Sequence, residues 1–147
     1  MIFSSALDRP VRLFDRNSEP LSNKELGDLG EELAAKFLKR QGRKVLYRNY
    51  RGPRGGELDI VARDKDILSF VEVKTRRSGG RGRPLDAVTK DKRELMRRGG
   101  KAWLKLLKNP EITTRYDVVE VTLTQGELPV LSIVENVQTH TDRSSLL

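Results

Sequence analysis

The feature that most constrains the fold of this chain is a long helical segment between two strand-like runs. Residues 67–74 and 116–124 have the pattern of strands, whereas residues 87–107 have helical spacing of apolar side chains. A connection of that length permits the two strands to pair in parallel, which a tight turn does not. The chain is therefore predicted to contain a parallel strand pair, as α/β proteins do.

The remaining elements are predicted from periodicity, capping and turn signals. Ser22 to Glu25 reads as a capping box, which predicts a helix over about 23–41. The predicted strands are short runs bounded by Gly, Pro or charged residues: 44–50, 57–62, 67–74, 116–124 and 129–135. The order α-β-β-β-α-β-β indicates an α/β fold in which helices flank a mixed sheet.

One pair of residues conflicts with the second predicted helix. Gly99 and Gly100 lie in its middle, where each glycine costs about 1 kcal/mol relative to alanine. The helix is expected either to break there or to have another element packed closely against it.

The length of 147 residues suits a single domain. We expect that domain to span 22–137, after a loosely ordered extension over 1–21 and before a polar tail over 138–147. The chain shows no secretory signal and no apolar stretch of the roughly 20 residues that a bilayer span needs. We therefore expect a cytoplasmic protein without a membrane partner.

The composition excludes several kinds of active site. The chain has no cysteine, and its only histidine, His140, lies near the polar C-terminus. Thiol nucleophiles and Cys-ligated metals are thereby excluded, and a Ser–His–Asp triad is not expected. An enzyme with this composition must work with carboxylates, lysines, arginines and a hard metal ion.

Three residues of the predicted hairpin have a pattern that suits such chemistry. Side chains at i and i+2 of a strand share a face, so Glu72 and Lys74 are expected on one face. In the preceding run, Asp59 is expected on the face opposite to Leu58 and Ile60. Pairing of the two runs would then bring Asp59 beside Glu72 and Lys74.

Two neighbouring carboxylates repel each other unless a cation lies between them, and Mg²⁺ or Mn²⁺ prefers such oxygen ligands. We therefore predict that Asp59 and Glu72 are metal ligands. Lys74 is predicted to be catalytic, because its ammonium can orient the attacking water or neutralise the transition state of phosphodiester hydrolysis. The alternative is that Glu72 and Lys74 form an exposed cross-strand ion pair.

The first helix supplies a third candidate carboxylate, Glu31. Gly27, Gly30 and Ala34 form a flank of small residues, and Glu31 lies at its edge. Small side chains let a helix approach a sheet closely, so Glu31 is a candidate metal ligand and catalytic residue. Its alternative role is that of an ordinary glutamate at the boundary of the helix.

The positive charge is concentrated in one segment. The chain has 29 Lys and Arg against 21 Asp and Glu, a net charge of +8, and the segment from Lys74 to Lys101 alone accounts for that excess. Such a segment favours binding to a phosphate backbone. The predicted nucleic-acid-binding residues are Arg76, Arg77, Arg81, Arg83, Lys90, Lys92 and Arg93.

Recognition of bases has less support in the sequence. Tyr47 and Tyr50 are the only reasonable candidates for base stacking, because Trp103 fits the core stripe of its helix. We therefore expect recognition of backbone and shape more than of bases. Asp117, near the start of the fourth strand, is interpreted as a member of a strand-edge ion pair.

Five motifs, in this order and spacing, resemble the YraN family of small bacterial proteins over about residues 22–123. They are Gly27-x-x-Gly30-Glu31-x-x-Ala34, Gly56-Glu57-Leu58-Asp59, Phe70-Val71-Glu72-Val73-Lys74-Thr75-Arg76, Ala87-Val88 with Lys92, and Arg115-Tyr116-Asp117-Val118-Val119. That family is itself similar to the PD-(D/E)xK nucleases, and by motif its closest relatives are archaeal Holliday junction resolvases.

The resemblance implies a restriction-endonuclease-like core. By motif position it makes Asp59 and Glu72 metal ligands and Lys74 the catalytic lysine, and Glu31 matches the helix-one glutamate of the resolvases. Resolvases act as two-fold dimers because a junction has two scissile strands, so a homodimer is expected by analogy.

The leading hypothesis is a Mg²⁺- or Mn²⁺-dependent endonuclease acting on DNA, with branched or structured DNA as a candidate substrate. The alternative is a non-catalytic module with a nuclease-like fold that binds DNA or RNA.

Overall fold

The computed structural model of the protein describes residues 6–79 and 89–137, and it confirms the predicted α/β fold and element order. The elements are α1 (Asn23–Arg40), β1 (Lys44–Arg51), β2 (Glu57–Asp64), β3 (Ile67–Arg77), α2 (Lys90–Leu106), β4 (Thr113–Leu123) and β5 (Val130–Val134), with short 3₁₀ turns at Ala6–Asp8 and Pro53–Gly55. Within the described ranges, no helix is both long and apolar enough to span a bilayer.

The strands form one mixed sheet in the order β1-β2-β3-β4-β5. β3 and β4 pair in parallel from Ile67–Thr113 to Arg77–Leu123, and the other three pairs are antiparallel. The predicted parallel pair is therefore present, and β3 continues three residues beyond the predicted end at Lys74.

The two helices cover opposite faces of the sheet. α1 begins with the predicted capping box, in which Ser22 Oγ accepts the Glu25 N–H and Glu25 Oε1 accepts the Ser22 N–H, both at 3.1 Å. Leu33 and Leu38 of α1 pack with Ile60 and Val71 on one side of the sheet. On the other side, the core is made by α2 with the following sheet residues: Leu58, Val61, Leu68, Phe70 and Val118.

The prediction that Leu58 and Ile60 share a face is wrong. Leu58 packs on the α2 side with Val61, whereas Ile60 packs on the α1 side. Strict alternation would have placed both on one face, so the strand changes phase between them, at Asp59.

α2 is continuous through its two glycines because neighbouring elements pack directly against them. A Cβ on Gly99 would lie 2.9 Å from the carbonyl oxygen of Glu57, and one on Gly100 would lie 2.4 Å from Tyr116 Oη. Gly56 is also in close contact with α2, since a Cβ on Gly56 would lie 2.5 Å from the backbone nitrogen of Gly99. Of the two expected outcomes, close packing is the one found.

The described part of the N-terminal segment differs from the expected loose extension. Leu7, Val11 and Leu13 are buried against the α1 side of the core. Val11 also exchanges two backbone hydrogen bonds with the β4–β5 turn, to the Glu127 oxygen at 2.8 Å and from the Gly126 N–H at 3.0 Å. These apolar residues tie the segment to the domain. The predicted tail, 138–147, lies outside the described residues.

The close contact at Gly99 generates a stability prediction with a matched control. We expect Gly99→Ala to lower the free energy of unfolding by about 1–3 kcal/mol, because the new methyl meets a backbone carbonyl that cannot move aside. A Cβ on Gly27 in α1 meets nothing within 4 Å, so Gly27→Ala should stabilise by about 0.5–1 kcal/mol. Urea denaturation measures both; equal shifts would contradict this packing.

Candidate functional site

The candidate site begins where β2 and β3 stop pairing. Their antiparallel ladder ends at Ile60–Val71, and beyond it Asp59 Oδ2 accepts the backbone N–H of Val73 at 2.8 Å. The Asp59 side chain thus accepts the Val73 N–H in place of a backbone carbonyl oxygen of β2. This contact holds the Asp59 carboxylate between the separating strands.

Glu72 supplies the second carboxylate, and it is nearly inaccessible, with 4% of its surface exposed. Its Oε1 lies 3.3 Å from Lys92 Nζ, whereas its buried Oε2 has no hydrogen-bond donor among residues 6–79 and 89–137. Burial, and then the negative charge of Asp59, raise the pKa of Glu72 to about 9, and Lys92 opposes this only in part. A further cation near Oε2 would stabilise the ionised form of Glu72.

Glu31 approaches from α1, because this helix lies directly on β3. A Cβ on Gly30 would lie 1.8 Å from Thr75 Oγ1, so only glycine allows the approach. Burial and the charge of Asp59 raise the pKa of Glu31 to about 7, against the effect of Arg48. Asp59 therefore interacts with both of the other carboxylates.

Asn49 is a neighbour of Glu31 that the sequence analysis missed. With its amide nitrogen assigned toward the helix, it donates to both Glu31 oxygens, at 2.8 and 3.2 Å. Its φ of 56° is left-handed, a conformation that asparagine adopts more readily than most residues. The only sign of this contact in the sequence was an asparagine within a predicted strand. That sign does not identify Glu31 as its partner.

Lys92 lies in the carboxylate cluster, although the sequence prediction assigned it to the nucleic-acid interface. Its ammonium is 3.3 Å from Glu72 and 3.6 Å from Glu57. Burial lowers its pKa, but the charges of Glu72 and Asp59 outweigh burial and raise it. The spacing of Lys92 with Met96 and Gly99, which both face the sheet, was a periodic signal that could have shown this orientation.

Lys74 lies two residues beyond Glu72 on β3 and thus on the α2 face of the sheet. It is half-buried, and its neighbour across the parallel pair is Glu120 of β4. In the part of the chain that the structure describes, its ammonium forms no ion pair. The alternative interpretation, an exposed ion pair between Glu72 and Lys74, is therefore not found, since Lys92 pairs with Glu72 instead.

Glu31, Asp59 and Glu72 offer the oxygen ligands that a hard cation binds, but their side chains are not spaced to coordinate one. Between residues 6 and 79 and between 89 and 137, no three Asp, Glu, His or Cys side chains are already spaced as a metal-binding group. The carboxylate oxygens of Glu31, Asp59 and Glu72 are nevertheless the ligand type that Mg²⁺ prefers, and Glu72 Oε2 accepts no hydrogen bond within these two ranges. Binding an ion there requires these side chains to draw together.

Of the five predicted nucleic-acid-binding residues that the structure describes, Arg77 lies apart from those on α2. Arg77 donates to the Leu21 carbonyl oxygen at 2.7 Å, next to the start of α1. Lys90 and Arg93 lie in the first turn of α2, on the other face of the sheet, and Arg76 precedes Arg77 on β3. Arg81 and Arg83 lie outside the described residues.

A second ionic cluster surrounds Asp117, which is fully buried. Its oxygens accept from Arg115 Nε at 2.8 Å, Arg43 at 3.3 Å, Ser69 Oγ at 2.5 Å and the Asn136 N–H at 2.9 Å. Asp117 belongs to an ion-paired network as interpreted, but the network is internal and does not lie at a strand edge. Both of its oxygens are satisfied, unlike those of Glu72.

Comparisons with known proteins identify what the chain is similar to. Residues 30–121 match the model of a family described as "Uncharacterised protein family UPF0102", which is the YraN family. A UPF0102 protein of Trichlorobacter lovleyi is 45% identical over 115 residues, covering 78% of this chain and 90% of that protein. One from Nocardia farcinica is 47% identical over 112 residues, with coverage of 76% and 87%. One from Streptomyces coelicolor is 45% identical over 113 residues, also with 76% and 87%.

The unpartnered Glu72 oxygen generates a prediction about metal binding. We expect Mn²⁺ or Mg²⁺ to stabilise the folded protein and so to raise its melting temperature. At a metal concentration one hundred times Kd, the free energy of unfolding should increase by about 2.7 kcal/mol. Glu72→Gln should remove this shift, because the amide cannot supply the second anionic ligand. Glu111→Gln, an exposed carboxylate in another part of the chain, should retain it. Equal shifts in all three proteins would contradict the assignment.

The Asp117 network generates a separate prediction about stability. Asp117→Asn should lower the free energy of unfolding by about 3–5 kcal/mol, because Arg43 and Arg115 would lose the one fully buried carboxylate among their three shared partners and keep only the more exposed Asp64 and Glu135. Asp66→Asn, at an exposed position in the β2–β3 turn, should change it by less than about 0.5 kcal/mol. Urea denaturation would reveal a structural role; similar small effects would argue against one.

Proposed function

This chain belongs to the UPF0102 family, and we propose that it is a Mg²⁺- or Mn²⁺-dependent nuclease that hydrolyses phosphodiester bonds in DNA. The observation that carries the proposal is the buried Glu72 carboxylate, which lies beside Asp59 and has one oxygen without a donor in the part of the chain that the structure describes. Burial beside Asp59 keeps Glu72 protonated near neutral pH, and a divalent cation at this position would favour its ionised form. A metal-dependent function gives this arrangement a reason.

Asp59, Glu72 and Glu31 would hold the metal. When bound, a divalent ion supplies Lewis-acid polarisation of a phosphoryl oxygen and offsets the negative charge that develops during hydrolysis. The Val73 N–H orients Asp59, and the Asn49 amide orients Glu31, so two of these carboxylates are held in place by hydrogen bonds from β3 and β1.

Lys74 is the proposed catalytic lysine. It follows Glu72 on the same face and forms no ion pair with any described residue, so its ammonium can contact a phosphate or the attacking water. A cation aimed at the phosphoryl oxygens stabilises the charge of the transition state more than that of the ground state. Lys92 limits the mutual repulsion of the carboxylates and so helps to keep them together.

The proposal extends to the partners and the location of the protein. The net charge of +8 supports a polyanionic substrate, and DNA is proposed ahead of RNA. Branched or structured DNA and a homodimer are proposed by analogy with the resolvases, because a junction presents two scissile strands. With DNA as the substrate, the proposed location of the protein is the cytoplasm.

One observation favours a second candidate, a non-catalytic nucleic-acid-binding module. The Lys92 ammonium lies beside Glu72 and Glu57, where it partly neutralises the cluster without a metal. If that pair is permanent, the carboxylates have only a structural role. The basic residues would then bind DNA or RNA without cleavage.

A cleavage assay separates the two candidates. The pure protein is incubated with branched, flapped, single-stranded and duplex DNA and with structured RNA, in Mg²⁺, Mn²⁺ or EDTA. We expect metal-dependent cleavage of DNA, and we expect Glu72→Ala and Lys74→Ala to reduce its rate at least about a hundredfold, since each removes a charge needed in the transition state. Binding of the same DNA in EDTA should persist in both variants.

Glu120→Ala is the matched control, because Glu120 lies beside Lys74 in the β3–β4 register but is not a proposed ligand. It should cleave at nearly the rate of the unmodified protein. Salt-sensitive binding with no metal-dependent cleavage of any substrate would contradict the nuclease proposal and support the binding module.

A further inference from the structure

A groove of about 760 Å³ lies beside α2, on the side of the helix that faces the β1–β2 connection. Its basic lining side chains come from that connection and from the C-terminal half of α2: Arg54, Arg97, Arg98, Lys101 and Lys105. None of these residues belongs to the carboxylate cluster, and none is among the predicted nucleic-acid-binding residues.

The charges of the groove are only partly neutralised within the protein. Arg97 and Arg98 share the carboxylate of Glu94, and Arg98 also donates to the Arg54 carbonyl oxygen at 3.4 Å. Lys101 and Lys105 are exposed and pair with no carboxylate of the described residues. Cations held side by side without counter-charges favour a ligand that carries several negative charges.

Aromatic rings adjoin this positive surface. Tyr50 lines the groove, and its ring contacts Trp103 at a centroid distance of 5.3 Å and Tyr47 at 6.0 Å. Tyr47 is 49% exposed, so part of its ring is available to a ligand. A cationic groove next to an exposed aromatic ring is the combination with which proteins bind single-stranded nucleic acid, through its phosphates and its unpaired bases.

We propose that this groove binds an unpaired strand of DNA. The phosphates contact Lys101, Lys105 and Arg54, and a base stacks on Tyr47. A duplex lacks the free base faces that the tyrosine recognises, so it gains only the phosphate contacts.

The position of the groove along α2 connects it to the carboxylate cluster. Lys92 and Lys101 are nine residues apart on one helix, which corresponds to about 14 Å along its axis and to opposite sides of the helix. A strand that leaves the groove therefore has to pass around α2 to reach the carboxylates, which takes several nucleotides. This consequence rests on the proposed nuclease function, and it makes DNA with an unpaired segment next to the cleavage point the preferred substrate class. Binding in the groove itself does not depend on cleavage.

The test measures binding of the full chain in EDTA, so that it does not depend on catalysis. Fluorescence anisotropy compares a labelled 20-nucleotide oligo(dT) with a labelled hairpin duplex of 20 base pairs. We expect Lys101→Ala with Lys105→Ala to weaken oligo(dT) binding about tenfold and to make the salt dependence shallower by about 1.4, for two lost contacts. The control, Lys24→Ala with Lys39→Ala, removes the same charge from α1 and should leave binding nearly unchanged.

Stacking is tested at Tyr47. Tyr47→Ala should weaken oligo(dT) binding at least about fivefold with little effect on the duplex, whereas Tyr47→Phe, which keeps the ring, should bind normally. Trp103 is the only tryptophan of the chain, so its emission reports directly on this site, and oligo(dT) should change it in the unmodified protein.

Three results would overturn the groove proposal: equal losses in the two double-lysine variants, a Tyr47→Ala variant with unchanged affinity for oligo(dT), or tighter binding of the duplex than of oligo(dT). If binding behaves as proposed but no DNA is cleaved in Mg²⁺ or Mn²⁺, the nuclease function fails and the groove remains.

Discussion

The buried carboxylate of Glu72 beside Asp59 is the interaction on which the functional account depends. Removing an ionised carboxylate from water is unfavourable by several kcal/mol unless a cation or hydrogen bonds compensate. Here Lys92 contacts one oxygen of Glu72, and no described residue donates a hydrogen bond to the other. Asp117 is a second buried acid of the same protein, and its two oxygens both accept hydrogen bonds from the surrounding residues. The difference between the two acids supports a functional role for Glu72.

Close contacts at glycines bring the two helices to the carboxylate cluster from opposite faces of the sheet. Gly30 lets α1 lie on β3 at Thr75, which places Glu31 at the cluster. Gly99 lets α2 lie on β2 next to Glu57, and Lys92 is two turns earlier on the same face of that helix. The glycine pair that looked unfavourable for helix formation is thus a packing requirement, and its cost in helix propensity is offset by the contact that it permits.

Local patterns in the sequence were sufficient for most of the fold. The capping box located the start of α1, and the long crossover predicted the parallel pairing of β3 with β4. The site was harder to predict, because it depends on departures from regular structure. The phase change at Asp59 put Leu58 and Ile60 on different faces, which an alternating pattern cannot show. The orientation of Lys92 and the packing of Leu13 are set by tertiary contacts, which total charge and segment position do not show.

The most direct test of the central claim is to locate the ion itself. Crystals of the protein grown with Mn²⁺ can be measured near the manganese absorption edge, where anomalous scattering marks the metal position. The account predicts a peak within about 2.3 Å of carboxylate oxygens of both Asp59 and Glu72, with the Lys92 ammonium displaced from Glu72. A map without a peak at these residues, in which Lys92 still contacts Glu72, would contradict it.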